Sequence, residues 1–231
     1  AENTARSILV EQMTNSAGTA AEGLVLFIDT GKSQIEVLVE NERLANQDPE
    51  LLAQSLSQVS TSQSFYDLLG VFSAEGELIA AHSTREAGEF LPSPEESLAV
   101  TQARNETSPM ILAVPPMQDA KTAHVSFIMR LEDPQGQIDR VLLGRTSLDQ
   151  NPIATLFLES LENLESNGGI AQIIDEQGRR LYHSNADLLM TDYANPRFAT
   201  TTFLESTMMG DEPMMMFYQP SGQAGWAVIT S

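Results

Sequence analysis

The chain has 231 residues, 32 Asp or Glu against 12 Lys or Arg, a formal net charge of −20, no cysteine, one Trp and 42% apolar residues. That length and apolar share exclude a disordered acidic tail and suit one or two globular units of roughly 100–150 residues each, while the charge makes nucleic acid and anionic membrane surfaces poor partners, since both need a basic face. Without cysteine there is no thiol nucleophile, iron–sulfur cluster or Cys-ligated zinc.

Proline is absent from the first 48 residues, and apolar or small residues recur at Leu9, Met13, Ala17, Ala20, Leu24, Ile28, Ile35, Leu38 and Ala45. Steps of three, four and seven describe one stripe of a continuous helix, which at this length is a rod of roughly 60 Å. The bland reading of such a helix is one that packs along two domains, and the sharper reading is one that also pairs with a second copy of itself. Its longest apolar run, Leu24 to Ile28, is far short of the roughly 18–20 residues that span a bilayer. Ala1 to Met13, with Glu2, Arg6 and Glu11 among its apolar residues, does not read as a signal peptide.

Asp48-Pro49-Glu50 restarts a short helix, with Leu51, Leu52, Ser55, Leu56 and Val59 expected on its buried face. From Phe65 the period changes. Phe65 to Ser73 and Leu78 to Ser83 flank an acidic Gly-containing turn and read as a hairpin. Ser93-Pro94-Glu95-Glu96 opens a helix reaching about Arg104, and strands are expected at Met110 to Val114, Ala123 to Leu131 and Ile138 to Ser147. Asn151-Pro152 starts a helix through about Leu164, with Ile153, Leu156, Phe157, Leu161 and Leu164 on one face. A second hairpin spans Ile170 to His183, two strands surround Gly210 to Pro213, and the chain closes with Gly225-Trp226-Ala227-Val228-Ile229.

Side by side, "VFSAEGELIAAHS" (Val71 to Ser83) and "IIDEQGRRLYHS" (Ile173 to Ser184) share a strand, an acidic turn with Gly, a second strand and a terminal His-Ser. Gly76 and Gly178 stand 102 residues apart, and the His-Ser pairs are displaced by one. The recurrence indicates two related modules, each a helix leading into an antiparallel sheet: a helix at 1–48, a first module at 49–149 and a second at 150–231.

This order of elements resembles the double Cache sensor domain, an α+β fold in which a long N-terminal helix carries two PAS-like antiparallel-sheet modules. The matching residues are "IIDEQGRRLYHSN" (Ile173 to Asn185), "VSFIMRLEDPQGQIDRVLLGRTSLD" (Val125 to Asp149) and "GWAVI" (Gly225 to Ile229). The resemblance implies the extracytoplasmic part of a bacterial transmembrane receptor, whether chemoreceptor, sensor histidine kinase or cyclic-dinucleotide enzyme. Its membrane anchors would lie outside this chain, its small-molecule ligand in the first, membrane-distal module, and its homodimer contact on the long helix. It implies no catalysis in the domain itself and no cofactor.

The ligand contacts expected on this basis are Tyr66, His82, Arg85, Arg104, Met110, Ser126 and Arg145. Amino-acid-binding members carry an Arg-x-Trp-Tyr segment before the middle helix and an Asp late in the last strand of the first module. Here Arg85 to Pro94 holds no Trp or Tyr, and Arg145 takes the place of the Asp. A cation there attracts a carboxylate or phosphate and repels an ammonium, so an organic acid or other anion is expected. Arg85, Arg104, Arg130 and Arg145 all fall in the first module, where an inward Arg selects anions and an outward one pairs with the many acids.

The histidines, His82, His124 and His183, lack metal-ligand spacing; His82 is the one read as a ligand contact. Met208, Met209, Met214, Met215 and Met216 cluster across a hairpin. Soft sulfur suits Cu(I), but neighbouring strand residues face opposite ways, which favours core or interface packing and no metal. No nucleophile elbow, phosphate loop, zinc helix or dinucleotide fingerprint occurs. The competing readings are a free-standing extracellular solute-binding or surface-interaction domain and, further off, a hydrolase with a carboxylate site.

Overall fold

The computed structural model describes residues 2–45, 48–84, 90–116, 122–133, 135–193, 203–209, 212–221 and 225–231; of Glu2, Asn3, Ala5 and residues 203–221 it describes the backbone alone. The chain groups into two compact units, one of residues 29–114 and 124–151 and the other of residues 1–28, 115–123 and 152–231. Helix α1 (Glu2–Val39) is thus divided between the units rather than standing apart.

Met13, Ala17, Ala20, Leu24, Phe27 and Ile28 on its first part, and Ile35 and Leu38 on its second, are buried, whereas Leu9 is 42% exposed and lies off the stripe. The helix ends nine residues earlier than the pattern suggests. Asn41, a residue whose short amide competes with helical hydrogen bonds, accepts the Arg43 N–H on its side chain, and a 3-10 turn, Glu42–Ala45, tucks Leu44 inside.

In the unit of residues 29–114 and 124–151, α2 (Pro49–Ser62) is capped by Asp48, whose carboxylate accepts the Glu50 and Leu51 N–H groups. Leu52, Leu56, Val59 and Ser60 are its buried residues; Leu51, expected among them, is 46% exposed. Then come β1 (Leu68–Ser73), β2 (Leu78–Ser83), α3 (Pro94–Ala103), β3 (Met110–Val114), β4 (His124–Glu132) and β5 (Ile138–Ser147). The strands form one antiparallel sheet in the order β2-β1-β5-β4-β3. On one face Ala99, Val100 and Ala103 of α3 pack with Leu68, Phe72, Phe90, Ile128, Val141 and Leu143. On the other, a Cβ added at Gly31 of α1 would stand 2.2 Å from the Phe127 ring, and one at Gly144 would stand 2.8 Å from Tyr66. Only glycine admits such close approach.

The other unit holds α4 (Pro152–Ser166), β6 (Ala171–Ile174), β7 (Arg180–His183), β8 (Phe203–Met209), β9 (Glu212–Ser221) and β10 (Trp226–Thr230). Its sheet order, β7-β6-β10-β9-β8, repeats the first sheet strand for strand. Phe157 of α4 closes on Gly23 of α1, and the Thr230 hydroxyl donates to the Met13 carbonyl. Ala154, Phe157, Leu158, Leu161 and Leu164 are buried, while Leu156, expected on that face, is 70% exposed. The Met-rich hairpin forms β8 and β9, but its side chains lie outside the described residues.

Three hairpin turns share one device. Ser73, Asp133 and Asp175 each accept, through a side-chain oxygen, the N–H groups two and four residues onward. Three residues after each stands a left-handed glycine: Gly76 (φ 88°), Gly136 (φ 75°) and Gly178 (φ 81°). A β-carbon there would be strained. All three hairpins also carry a register shift at the same place, Val71/Phe72, Leu131/Glu132 and Ile173/Ile174.

Candidate functional site

Residues directly opposite each other in an antiparallel pair share a face of the sheet. Register therefore sets Leu112, Ser126, Arg145, Leu68 and Ser83 in one row across all five strands, on the face beneath α3. One row to the side are Met110, Ile128, Leu143, Gly70 and Ala81; on the other side are Val114, His124 and Ser147. This face carries a polar centre set in an apolar surround.

The centre is built by the start of α3. Ser93 and Glu96 form a capping box, the Ser93 hydroxyl accepting the Glu96 N–H at 3.1 Å and the Glu96 carboxylate accepting the Ser93 N–H at 2.8 Å. A capping glutamate ordinarily ends in solvent, but Glu96 is fully buried. Its Oε1 accepts Arg145 Nε at 2.9 Å and the Ser126 hydroxyl at 2.5 Å, and its Oε2 accepts Arg145 Nη2. Phe90 lies against the guanidinium, 4.7 Å from Cζ to ring centroid. The result is a bidentate, charge-assisted pair in a low-dielectric setting, where fork-to-carboxylate geometry is strongest.

Two further polar groups share the face. The Ser147 side chain is buried and its hydroxyl makes no hydrogen bond, an uncommon state for an interior hydroxyl. His124 is held below the usual histidine range, first by burial and then by the Arg145 charge, with Asp149 and Glu96 opposing. Beyond them, the Ser147 N–H donates to the Asp67 carboxylate.

Of the expected contacts, Met110, Ser126 and Arg145 come together on this face. His82 pairs with Leu69, not Leu68, and so lies on the opposite face. The Tyr66 hydroxyl donates to the Gly31 carbonyl of α1, and its ring packs edge-on against Phe65 and Phe127. It is a core side chain on the same far face, its phenol raised well above the usual value by burial. Arg104 is exposed at the end of α3 and donates to the Ala74 carbonyl. Arg85 lies outside the described residues. Arg145, expected to attract an anion, is met here by the Glu96 carboxylate, from 49 residues away.

Sequence reasoning missed Glu96, Phe90 and Ser147 as members of the site. The signal available was Ser93-x-x-Glu96, which marks a helix start but not the direction the glutamate takes. Two grooves lie away from this face. A groove of about 750 Å³ beside the end of α1, lined by Glu40, Glu42, Arg130, Glu132 and Asp133 among others, and one of about 520 Å³ between α4 and β7, lined by Glu162, Glu165, Tyr182 and His183 among others, include none of the expected contacts. Among the described residues no three His, Asp or Glu side chains cluster as metal ligands, and no helix is long and apolar enough to cross a membrane.

No protein-family model matches the chain, and no curated protein matches it. Solved structures do. The ligand-binding domain of the Pseudomonas aeruginosa PAO1 amino acid chemoreceptor PctC, in complex with GABA, superposes with a TM-score of 0.70 at 16% identity, over 97% of both chains. The extracellular domain of rpHK1S-Z16, described as a histidine kinase, gives 0.68 at 14% identity, over 100% of this chain and 95% of that one. The ligand-binding domain of the Pseudomonas fluorescens chemoreceptor CtaA with L-serine gives 0.66 at 15% identity, over 97% of both. The fold is that of these domains: α+β, a long N-terminal helix carrying two PAS-like antiparallel-sheet modules.

Proposed function

We propose that the chain is the extracytoplasmic small-molecule-sensing domain of a transmembrane signalling receptor, with its ligand taken up beneath α3 in the β1–β5 module. The observation that carries this reading is the Glu96–Arg145 pair, buried with an unsatisfied Ser147 hydroxyl on the same sheet face, in a fold shared along its whole length with ligand-binding domains.

The ligand class follows from charge. Because Glu96 cancels Arg145, a simple anion meets no net positive field, whereas a molecule bearing both a carboxylate and an ammonium matches each partner of the pair. The domains with GABA and L-serine bound support that class. A thermal-shift series tests it, since a ligand of the folded state raises the midpoint. GABA and L-serine are expected to raise it and succinate not to; stabilisation by succinate alone would restore the organic-acid reading, and silence from all classes would remove the sensor reading.

Pairing with a second copy through α1 belongs to the same proposal. Ile8, Leu26 and Val37 are 52%, 56% and 62% exposed, and intervals of 18 and 11 residues return to the same side of a helix with 3.6 residues per turn. Leu26→Glu is expected to lower the mass seen by light scattering from dimer to monomer.

A further inference from the structure

We propose that Glu96 is a tethered occupant of a carboxylate-receiving site, and that a ligand carboxylate reaches the Nε–Nη2 fork of Arg145 and the Ser126 hydroxyl by displacing it, which releases the first turn of α3. The proposal rests on the reading of this face as the ligand site and adds how that site is kept shut.

The receiving groups are independent of the glutamate that fills them. Ser126 and Arg145 stand opposite each other on β4 and β5, so the sheet itself sets the hydroxyl and the guanidinium fork side by side. The Ser93 N–H adds a backbone donor. Together they place four hydrogen bonds on one carboxylate, two to each oxygen. A carboxylate oxygen pair has little capacity beyond that, so no bond remains for Glu96 to gain. Phe90 covers one face of the guanidinium. A carboxylate that seeks the Nε–Nη2 fork of Arg145 and the Ser126 hydroxyl beside it therefore competes with Glu96 for the same donors.

Displacement has a structural consequence. The Glu96 carboxylate holds the Ser93 N–H, so its departure opens half of the capping box and unties α3 from β4 and β5 at once. It also has an electrostatic condition: a buried carboxylate stripped of its cation is strongly unfavourable unless a new one arrives. A ligand ammonium supplies that cation and a simple carboxylate does not. Glu96 thus acts as both plug and filter, excluding plain carboxylates that Arg145 would otherwise accept.

The test uses sodium acetate, with sodium chloride at matched ionic strength as control, read by calorimetry and thermal shift on the whole chain. Wild type is expected to show no acetate-specific response. Glu96→Gln is expected to bind acetate saturably, at least about tenfold more tightly, and adding Arg145→Met is expected to abolish that binding. A folded Glu96→Gln with no acetate response, or one whose response survives Arg145→Met, overturns the proposal. Should Glu96→Gln not fold, Glu96→Ala is refolded in acetate and in chloride: helix signal recovered only in acetate supports the proposal, and its absence in both overturns it. If GABA or L-serine stabilises wild type while acetate never enters the Glu96 variants, the sensor reading stands and the plug falls. Acetate entry without any wild-type ligand has the opposite meaning.

Discussion

The two sheets have the same strand order and, in their first hairpins, the same register shift, yet among the described residues only the first has a buried ion pair between a helix and a strand. Residues 102 apart correspond. Leu68 faces Arg145 on β5, and Ile170, its counterpart, exchanges backbone hydrogen bonds with Ser231 after β10. Where the first sheet buries a guanidinium, the second has a small polar residue. The second unit's comparable ion pair, Arg179–Asp175, joins residues four apart and closes a turn, whereas Arg145–Glu96 ties a helix to a sheet. One scaffold thus serves two ends: the ion pair of the second unit closes a turn, and that of the first ties a helix to the sheet across 49 residues.

The largest effects should separate the pairs. Arg145→Ala leaves Glu96 buried without its cation, a loss expected to cost about 3–5 kcal/mol. Arg179→Ala leaves Asp175 with its two backbone N–H donors, and should cost about 1–2 kcal/mol. Urea unfolding of both variants checks the contrast, and equal losses would mean that the two pairs do the same structural work.

Next come the glycines of α1, which probe each unit separately. Gly23→Ala drives a Cβ into Phe157 and Gly31→Ala drives one into Phe127; overpacking of this kind costs about 1–3 kcal/mol. Gly18 has nothing within 4 Å of such a Cβ, so Gly18→Ala should stabilise by about 0.5–1 kcal/mol through helix propensity alone. Thermal melts of the three variants give the signs directly.

The sequence made these elements legible wherever the determinant was local. The hairpin glycines, the Asp48 cap and the Ser93 helix start depend on residues within four positions, and each was readable. Side-chain facing was harder. Leu9, Leu51 and Leu156 fit an apolar stripe by spacing, but which edge of the stripe is covered depends on partners far along the chain. His82 and His183 look alike in their His-Ser endings, yet His82 pairs with Leu69 while His183 pairs with Gln172, the counterpart of Gly70. Displacement by one residue flips the face, so the likeness of letters is not a likeness of place. The Arg145 partner was not readable at all, because nothing near either residue announces a contact 49 positions away.

The smallest effect tests whether the polar interior of the first sheet is felt by its neighbours. Burial, then the Arg145 charge, lowers His124 below the ordinary value, and burial, then Arg180, lowers His183. A base depressed by folding binds fewer protons in the native state than in the unfolded one. Its stabilising contribution is therefore complete above about pH 6.5 and is lost as pH falls from there toward the native value. His124 is 9% exposed, whereas His183 is only half-buried and its charge is better screened. His124→Asn should accordingly flatten the fall in stability between pH 7.5 and 5.5, by at most about 1.4 kcal/mol per pH unit, and His183→Asn should flatten it less. Unfolding free energies at the two pH values decide it, and equal flattening would mean that the sheet face beneath α3 is no drier than the edge of β7.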